Sequence, residues 1–291
     1  MDYSLFHGDC LELMQNIPDK SIDMIFTDLP YGTTKCKWDT IIPLEDYISI
    51  ESTGKHLTHD TFLIQSYKTG IPFKEAEKIW KEQKKAGLWT HYKRIIKDNG
   101  AILLFAQTPF DKVLGKTNLD MLRYEWIYEK PSATGHLNAN KMPMKAHENI
   151  LVFYKKLPVY HPQMTDGHEP MHTFVKRTEV ANDTEIYGNV KKDNTGGGNT
   201  TRYPRSVLTF SSDKQTSHLH PTQKPLDLCR YMIRTYTNEG DVVLVSCMGS
   251  GTCGVAAILE GRNFIGIEQE LKYVEIARER IVSTLAEKQK D

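Results

Sequence analysis

The sequence predicts an α/β fold with a mostly parallel sheet and helices on both of its faces. Three observations support this prediction: strands and helices alternate over residues 225–285, a helix precedes a buried strand over residues 88–106, and a glycine-rich turn follows a strand at residues 249–254. Alternating strands and helices are typical of a parallel sheet. The length of 291 residues fits one large domain with insertions, or two smaller domains.

The composition is that of an ordinary globular protein, with 39% hydrophobic and 25% charged residues. The chain has 37 Lys or Arg residues and 37 Asp or Glu residues, so its formal net charge is zero. Affinity for nucleic acid would therefore have to come from local basic patches. No apolar run approaches the roughly 20 residues of a membrane span, and the first residues lack a basic signal-peptide start. Five cysteines without a Cys-x-x-Cys pair, and histidines without a ligand spacing, indicate neither a disulfide framework nor a metal site. We therefore expect a cytoplasmic protein without a membrane or metal partner.

The first half of the chain supplies several strands. Residues 22–27 form a short apolar strand, which ends at Asp28-Leu29-Pro30-Tyr31 because proline cannot continue a strand ladder. The apolar residues between 88 and 97 follow helical spacing, and residues 101–106 form the next buried strand. Further strands are predicted at residues 124–129 and 149–154.

The last third of the chain alternates regularly. Pro225 suits the first position of an amphipathic helix that extends to residue 236. The following elements are a strand at residues 241–245, a helix at 252–260, a strand at 263–267 and a helix at 271–285.

Two segments interrupt this pattern. Residues 157–217 are rich in proline and contain the glycine run at 194–199, so they form a loop-rich insert. Residues 41–87 form a second insert, and nine Lys or Arg face three Asp or Glu over residues 68–97. These basic residues could contact phosphate, or residues 73–85 could form a solvated helix in which Glu75 pairs with Lys78 and Glu77 with Lys81.

The glycine-rich turn indicates a nucleotide-like ligand. Backbone N–H groups and the positive end of a helix dipole meet a ligand in such a turn. Glu268 ends the next predicted strand, where a carboxylate can accept hydrogen bonds from both hydroxyls of a ribose. NAD, FAD and S-adenosylmethionine (AdoMet) all fit, and so does a turn that serves packing alone. Only one helix follows Glu268, so the rest of the sheet must come from the N-terminal half, which implies a circular permutation.

Two motifs resemble those of the β group of amino DNA methyltransferases. Asp28-Leu29-Pro30-Tyr31 resembles their Asp-Pro-Pro-Tyr catalytic motif, and Gly249-Ser250-Gly251-Thr252 resembles their AdoMet loop. The order also matches, since His-Pro-Thr-Gln-Lys-Pro at residues 220–225 precedes the cofactor strand. The resemblance implies a Rossmann-like, circularly permuted, AdoMet-dependent methyltransferase fold, in an enzyme of the solitary, phage or restriction-modification kind.

The resemblance also assigns domains and a cofactor site. Residues 1–156 and 218–291 are expected to form the catalytic and AdoMet-binding domain, residues 157–217 the target-recognition insert, and residues 41–87 an extra insert of unknown role. Glu268 resembles the ribose acid, and Phe153 belongs to a stretch that walls the base pocket in the family. The residues expected to bind AdoMet are Asp9, Cys10, Thr222, Lys224, Ser246, Met248, Gly249, Ser250, Gly251, Thr252 and Glu268.

The catalytic motif suits methylation of an exocyclic amino group, whose lone pair is delocalised into the base. Asp28 can accept one N–H, and the backbone carbonyl of Leu29 or Pro30 can accept the other. Tyr31 offers a ring on which a flipped base can stack. We expect adenine N6 in preference to cytosine N4, because an acid rather than a serine opens the motif.

The sequence departs from the family pattern in two places. Ser246-Cys247-Met248 stands where the family usually has Asp-Pro-Phe, and loss of that acid is expected to weaken AdoMet binding unless Ser246 or water substitutes. Leu29 replaces the first proline of the catalytic motif, which leaves both acceptors and the ring in place. Because no covalent intermediate is needed, Cys247 and Cys253 are expected to be packing residues.

The sequence therefore predicts a site-specific DNA methyltransferase. Its expected partner is double-stranded DNA, with a second copy of the chain as a homodimer and a cognate restriction endonuclease as further candidates. Three alternatives concern the methylated group, which could be cytosine N4, an amino group of an RNA or a protein amide. Two others concern the class of protein, which could be a catalytically inactive DNA-binding module with an eroded AdoMet loop or an NAD oxidoreductase. The expected DNA contacts are Lys176, Arg177, Lys191, Lys192, Arg202 and Arg205.

Overall fold

The computed structural model describes residues 2–33, 36, 39–50, 53–170, 197–211 and 223–289. The chain divides into two compact units, a larger one of Met1–His161 with Ser206–Asp291 and a smaller one of Pro162–Arg205. Within the described ranges, no helix is both long and apolar enough to cross a membrane.

Among the described residues, the strands and helices lie in the larger unit. Its strands are β1 (Tyr3–His7), β2 (Ile22–Asp28), β3 (Tyr47–Ile50), β4 (Lys55–Thr58), β5 (Ile96–Ala106), β6 (Leu122–Thr134), β7 (Lys145–Phe153), β8 (Val207–Thr209), β9 (Val242–Val245) and β10 (Asn263–Glu268). Its helices are α1 (Cys10–Leu13), α2 (His59–Lys68), α3 (Phe73–Gln83), α4 (Leu88–Ile95), α5 (Phe110–Lys116), α6 (Leu226–Tyr236), α7 (Thr252–Leu259) and α8 (Leu271–Lys288).

A sheet of eight described strands has the spatial order β1-β10-β9-β2-β5-β7-β6-β8. Neighbouring strands are parallel except at β7, which is antiparallel to both β5 and β6. The predicted α/β class with a mostly parallel sheet is confirmed. The strand before the glycine turn, β9, lies in the middle of this sheet although it comes late in the chain. That position is what the predicted circular permutation requires.

Helices cover both faces of the sheet because the buried side chains of its central strands alternate. On β5, Leu103 and Phe105 pack with α6, α7 and α8, whereas Ile102 and Leu104 pack with α1, α4 and α5 on the other face. Successive side chains of a strand point to opposite faces. Burying each such side chain contributes about 1.5 to 3 kcal/mol to folding.

Most predicted elements are present, with shifted ends. The helix expected to reach residue 97 ends at Ile95, because Ile96 already pairs with Ile22 as the first residue of β5. Pro225 precedes α6 as its cap rather than forming its first turn. The sequence interpretation did not include β1, α1, α2, α5, β8 or the β3–β4 hairpin.

The described residues of 41–87 belong to the larger unit, and their side-chain pairs differ from those predicted. Glu77 pairs with His59 of α2 at 3.0 Å, and Lys78 pairs with Glu82 at 4.0 Å. The predicted pairs of Glu75 with Lys78 and of Glu77 with Lys81 are therefore replaced. Trp80 is buried against the ring of His59, with ring centroids 5.1 Å apart, which explains why Glu77 turns toward α2. The role of this insert stays a prediction.

The smaller unit lies within the predicted 157–217 insert. In it, Thr165 and Arg202 form a bridge between two extended segments. The Arg202 guanidinium donates hydrogen bonds to three backbone carbonyls, those of Asn199, Thr201 and Glu169. A DNA contact by Arg202 would compete with these bonds, whereas Arg205 is exposed. The other expected DNA contacts lie outside the described residues: Lys176, Arg177, Lys191 and Lys192.

Candidate active site

A cavity of about 710 Å³ opens at the carboxyl ends of the parallel strands. Ligands in open α/β sheets bind at this edge. The predicted site residues that line the cavity are Asp9, Cys10, Asp28, Leu29, Pro30, Tyr31, Lys224, Ser246, Met248, Gly249, Ser250, Thr252 and Glu268. Gly251 lies behind the lining, and Thr222 lies outside the described residues.

Strand pairing brings the two motifs together. Met24 and Ile25 of β2 pair with Val243 and Leu244 of β9, so the segments that follow these two strands leave the sheet side by side. The catalytic motif follows β2 and the glycine loop follows β9. Two stretches separated by more than half of the chain thereby line one space.

The glycine loop and the predicted ribose acid are held by each other. The N–H of Gly249 donates to Glu268 Oε2 at 2.9 Å, and the N–H of Glu270 donates to Oε1 at 3.0 Å. Each oxygen accepts one of these bonds and keeps a second lone pair that can accept another. The acid is therefore oriented before any ligand arrives.

Gly251 caps the start of α7 with a left-handed backbone, at a φ of 78°. A side chain at this position would meet Ala277 of α8, since a Cβ would lie 2.6 Å from Ala277 Cβ. Arg280 of α8 donates to the hydroxyl of Thr252 at 3.0 Å and to the hydroxyl of Ser250 at 3.2 Å. The loop is thus held in place by α8, and the hydroxyls of Ser250 and Thr252 already accept hydrogen bonds from Arg280.

The segment without the family acid is part of the core. Ser246 is 2% exposed, and its hydroxyl shares a hydrogen bond of 2.5 Å with Tyr92 of α4. Its backbone N–H donates to Thr27 Oγ1 at 3.1 Å. Met248 is buried, and its sulfur occupies the space that a side chain at Gly266 would need. The Ser246 hydroxyl therefore already has a protein partner, and its substitution for the missing acid stays a prediction.

Two expected cofactor residues sit beside β1. Asp9 caps α1, and its carboxylate accepts the N–H of Leu11 at 2.7 Å. Cys10 is buried beside Cys247, and this contact together with burial raises the pKa of the Cys247 thiol. A thiol of raised pKa is a poor nucleophile. This agrees with the prediction that Cys247 is a packing residue.

The catalytic motif is a corner stabilised by hydrogen bonds around Asp28. The Tyr31 hydroxyl donates to Asp28 Oδ1 at 2.6 Å, and Lys224 Nζ lies 2.6 Å from Asp28 Oδ2. Leu29 is buried in the core, which explains how it replaces a proline without disturbing the acceptors. The Tyr31 ring packs at 5.4 Å from the ring of Phe110.

Lys224, expected near the methionine end of the cofactor, lines the cavity and binds two carboxylates there. Its Nζ lies 3.1 Å from Glu148 Oε2 in addition to its contact with Asp28, and Lys130 Nζ lies 2.7 Å from Glu148 Oε1. Glu148 and Lys130 also line the cavity. The sequence interpretation did not single out either residue, and the only signal was the position of Glu148 in the stretch that resembles a pocket wall.

The electrostatics of this group follow from burial and pairing. Burial opposes ionisation of Glu148, but Lys224 and Lys130 outweigh it and lower the pKa of Glu148 to about 2. Burial raises the pKa of Asp28, Lys224 counteracts the rise, and the Glu148 charge adds to it. The two carboxylates outweigh burial at Lys224 and raise its pKa, so the ammonium stays charged.

Phe153 does not line the cavity. It is fully buried on the opposite face of the sheet, where its ring lies 4.9 Å from that of Trp89. On β7, Ile150 and Val152 face α6 whereas Leu151 and Phe153 face α4. The expectation that Phe153 walls the base pocket is wrong, because strand alternation turns its side chain away.

A comparison with protein families decides between the readings of this site. A family model for DNA methylases of the N6 and N4 type matches residues 22–279, which include both motifs. The chain belongs to the N6/N4 DNA methylase family. This confirms the predicted resemblance to amino DNA methyltransferases and excludes an NAD oxidoreductase. AdoMet is the methyl donor of N6/N4 DNA methylases, so the predicted cofactor is confirmed as well.

Individual relatives agree with the assignment to the N6/N4 DNA methylase family. The type II methyltransferase M2.MboI of Moraxella bovis is 26% identical, covering 96% of this chain and 87% of the relative. The DNA adenine methyltransferase YhdJ of Escherichia coli K12 is 27% identical, covering 96% of this chain and 82% of the relative. A crystal structure of the M1.HpyAVI–SAM complex shares the fold, with a TM-score of 0.55 at 20% identity over 96% of this chain and 98% of that chain.

Proposed function

We propose that this DNA methylase transfers the methyl group of AdoMet to N6 of an adenine that is flipped out of double-stranded DNA. The observation that carries the proposal is the cavity that Asp28 and Gly249 line together. Asp28 at the head of the catalytic motif supports adenine as the target base. The similarity to the DNA adenine methyltransferase YhdJ also supports adenine.

The cavity suits the proposed cofactor. Small-molecule sites typically measure about 300 to 1,000 Å³, and this one measures about 710 Å³. Glu268 would bind the ribose hydroxyls, and the loop from Gly249 to Thr252 would surround the rest of the ligand. When bound, AdoMet supplies a methyl group on a sulfonium, which is ready for displacement. Asp9 and Ser246 would line the cofactor as well, with Asp9 Oδ1 also accepting the N–H of Leu11 and the Ser246 hydroxyl also bonded to Tyr92.

Asp28 and the corner after it would grip the amino group. Asp28 accepts one N–H, the carbonyl of Leu29 or Pro30 accepts the other, and the nitrogen lone pair is turned toward the methyl carbon. Alignment of this kind can lower a barrier by about 7 to 11 kcal/mol. As the N–C bond forms and the C–S bond breaks, the nitrogen gains a positive charge and must lose one proton. Asp28 is the adjacent base, and burial raises its pKa toward that role.

Double-stranded DNA would reach the site through an extruded base, at a cost of a few kcal/mol. The Tyr31 ring would offset part of this cost, since base–aromatic stacking contributes about 1 to 3 kcal/mol. We assign target recognition to residues 157–217, with Arg205 as the exposed basic residue among its described positions. Residues 1–156 and 218–291 would form the catalytic domain.

The absence of an acid at residues 246–248 favours a second candidate, a DNA-binding module that no longer binds AdoMet. The Ser246 hydroxyl is neutral and already binds Tyr92, so it supplies no negative charge in place of that acid. Calorimetric titration with AdoMet distinguishes the candidates, because the inactive module predicts no binding at millimolar cofactor.

The proposal is tested by incubating the protein with tritiated AdoMet and a set of duplex DNAs, followed by digestion to nucleosides. We expect label in N6-methyldeoxyadenosine. Label in N4-methylcytosine would move the target to cytosine, and no label in any duplex with a folded protein would overturn the proposal. Asp28→Ala is the matched control, because it should abolish transfer while AdoMet affinity stays nearly unchanged.

A further inference from the structure

The ammonium of Lys224 lies between two carboxylates inside the cavity. Its Nζ is 2.6 Å from Asp28 Oδ2 and 3.1 Å from Glu148 Oε2. The side chains of Lys224 and Glu148 are only 10% and 11% exposed. Lys130 pairs with the second oxygen of Glu148 at 2.7 Å. Four charges of alternating sign therefore run from Lys130 to Asp28.

Separate elements of the larger unit hold this row of charges. Asp28 ends β2, Lys224 lies just before α6, and Glu148 belongs to β7. Lys130 comes from β6, which pairs with β7 so that Tyr128 faces Glu148. The Phe105 ring of β5 lies 4.8 Å from Lys224 Nζ and supports the ammonium from a further side. The four side chains are thus held by strands of the sheet and by the segment before α6.

The proposed reaction makes specific demands on these charges. Positive charge develops on the substrate nitrogen, and the Asp28 carboxylate is the group that faces it. An ammonium paired with Asp28 alone would cancel most of that negative charge, and charges act strongly on each other where water is excluded. A second carboxylate that binds the ammonium takes up part of its positive charge, so less of the Asp28 charge is cancelled. Glu148 occupies that position.

We propose that Glu148 is a positioning residue for methyl transfer, because it shares the Lys224 ammonium with Asp28, so that less of the Asp28 negative charge is cancelled where the substrate amino group would lie. Glu148 acts through Lys224 and does not contact the reacting nitrogen. The inference rests on the proposed function for its substrate. The geometry that it uses belongs to the free protein.

The alternative is that Glu148 only stabilises the fold by pairing with Lys130. The two roles differ in their effect on Asp28. Among the described residues, the charged and titratable groups around Asp28 are Lys224, Glu148 and Tyr31, with Asp39 beyond Tyr31 and Lys130 beyond Glu148. Glu148 raises the pKa of Asp28 through its charge, and Lys224 lowers it. Removing the Glu148 charge should therefore lower the pKa of Asp28 for two reasons. The raising effect of Glu148 is lost, and the Lys224 ammonium then has Asp28 as its remaining carboxylate partner of the two.

Glu148→Gln tests the inference by activity and by titration. We expect kcat to fall about 10²-fold, as for a displaced catalytic group, with AdoMet affinity unchanged. The acid limb of the kcat profile should move to lower pH. NMR titration of carbon-13 labelled carboxylates in the free protein should show the same shift for Asp28. Glu125→Gln, an exposed change on the neighbouring strand β6, is the matched control and should alter neither quantity.

A double-mutant cycle with Lys224→Met separates action through Lys224 from other effects. If Glu148 acts through Lys224, Glu148→Gln should cost little when Lys224→Met is already present. Additive losses, or an unshifted Asp28 titration, would overturn the inference. Glu148→Gln alone could unfold the protein. In that case kcat of the double variant, which loses one charge of each sign, is compared with kcat of Lys224→Met. A wild-type protein that methylates no DNA would contradict the proposed function and leave the Asp28 titration as the deciding measurement.

Discussion

The backbone N–H of Gly249 donates to Glu268 Oε2 across 2.9 Å, so the glycine loop and the acid at the end of β10 hold each other. A buried or half-buried carboxylate usually needs such donors to stay oriented. The bond also consumes the N–H that a phosphate would otherwise bind in a loop of this kind. This relationship suits a ligand that carries a ribose and a positive charge.

Replacing Glu268 should weaken AdoMet binding. Hydrogen bonds to a charged group contribute about 1.5 to 3 kcal/mol, so Glu268→Ala should raise the Kd for AdoMet roughly 10- to 100-fold. Glu268→Gln keeps one acceptor and should lose less. Isothermal titration calorimetry measures both, with the exposed Glu275→Gln of α8 as the control. If Glu268→Ala binds AdoMet as tightly as the wild type, Glu268 is not the ribose acid.

Removing the Ser246 hydroxyl should affect stability and not the cofactor. Ser246→Ala leaves the buried Tyr92 hydroxyl without its 2.5 Å partner, which should lower the free energy of unfolding by about 1 to 3 kcal/mol. The Kd for AdoMet should not change. Urea unfolding and calorimetry check the two quantities, and Tyr92→Phe should show the same pattern. A loss of AdoMet affinity in Ser246→Ala with unchanged stability would restore the cofactor role that the sequence suggested.

Much of the C-terminal fold could be predicted because its signals are local. The end of α6 and the start of α7 come within a residue of their predicted positions, and a proline and a glycine mark these helices. The glycine loop and Glu268 could be located for the same reason, since a turn and a strand end are read from adjacent residues. The side-chain partners of the loop could not be predicted, because Arg280 reaches Ser250 and Thr252 from another helix.

The missed features depend on contacts between distant residues. Strand β1 is short and half-exposed, and it is a strand because Tyr3 pairs with Phe264 of β10. The contact between Glu148 and Lys224 depends on the register in which β7 pairs with β5. Phe153 was assigned to the pocket because the position within a motif does not reveal which face of a strand points inward. A shift by one residue along a strand reverses the face.

His91 should make the stability of the protein depend on pH. It is 4% exposed, and neither ring nitrogen has a hydrogen-bond partner in the described part of the chain. Burial, with the Arg94 charge, lowers the pKa of His91 below its ordinary value near 6.5. The unfolded chain therefore binds a proton that the folded chain resists. The contribution to stability is full above about pH 6.5 and declines as the pH falls below that value.

His91→Leu removes this titration and is compared with the wild type by urea unfolding between about pH 7.5 and 5.5. The wild type should lose stability relative to His91→Leu as the pH falls, by at most about 1.4 kcal/mol per pH unit. Other titrating groups are common to both proteins and cancel in the difference. Parallel stability curves would mean that His91 is protonated equally in the folded and unfolded states.

Gly251→Ala should destabilise the protein more than Gly261→Ala, although both glycines have a φ of 78°. The left-handed backbone costs a residue with a Cβ about 1 to 2 kcal/mol at either position. At Gly261 the nearest atom to a Cβ is the flexible Glu239 side chain at 3.5 Å, whereas at Gly251 it is Ala277 Cβ at 2.6 Å. Overpacking against α8 should add about 1 to 3 kcal/mol to the cost at Gly251. Urea unfolding of the two variants measures this difference, and equal losses would show that α8 yields and that the glycine is required for its backbone conformation alone.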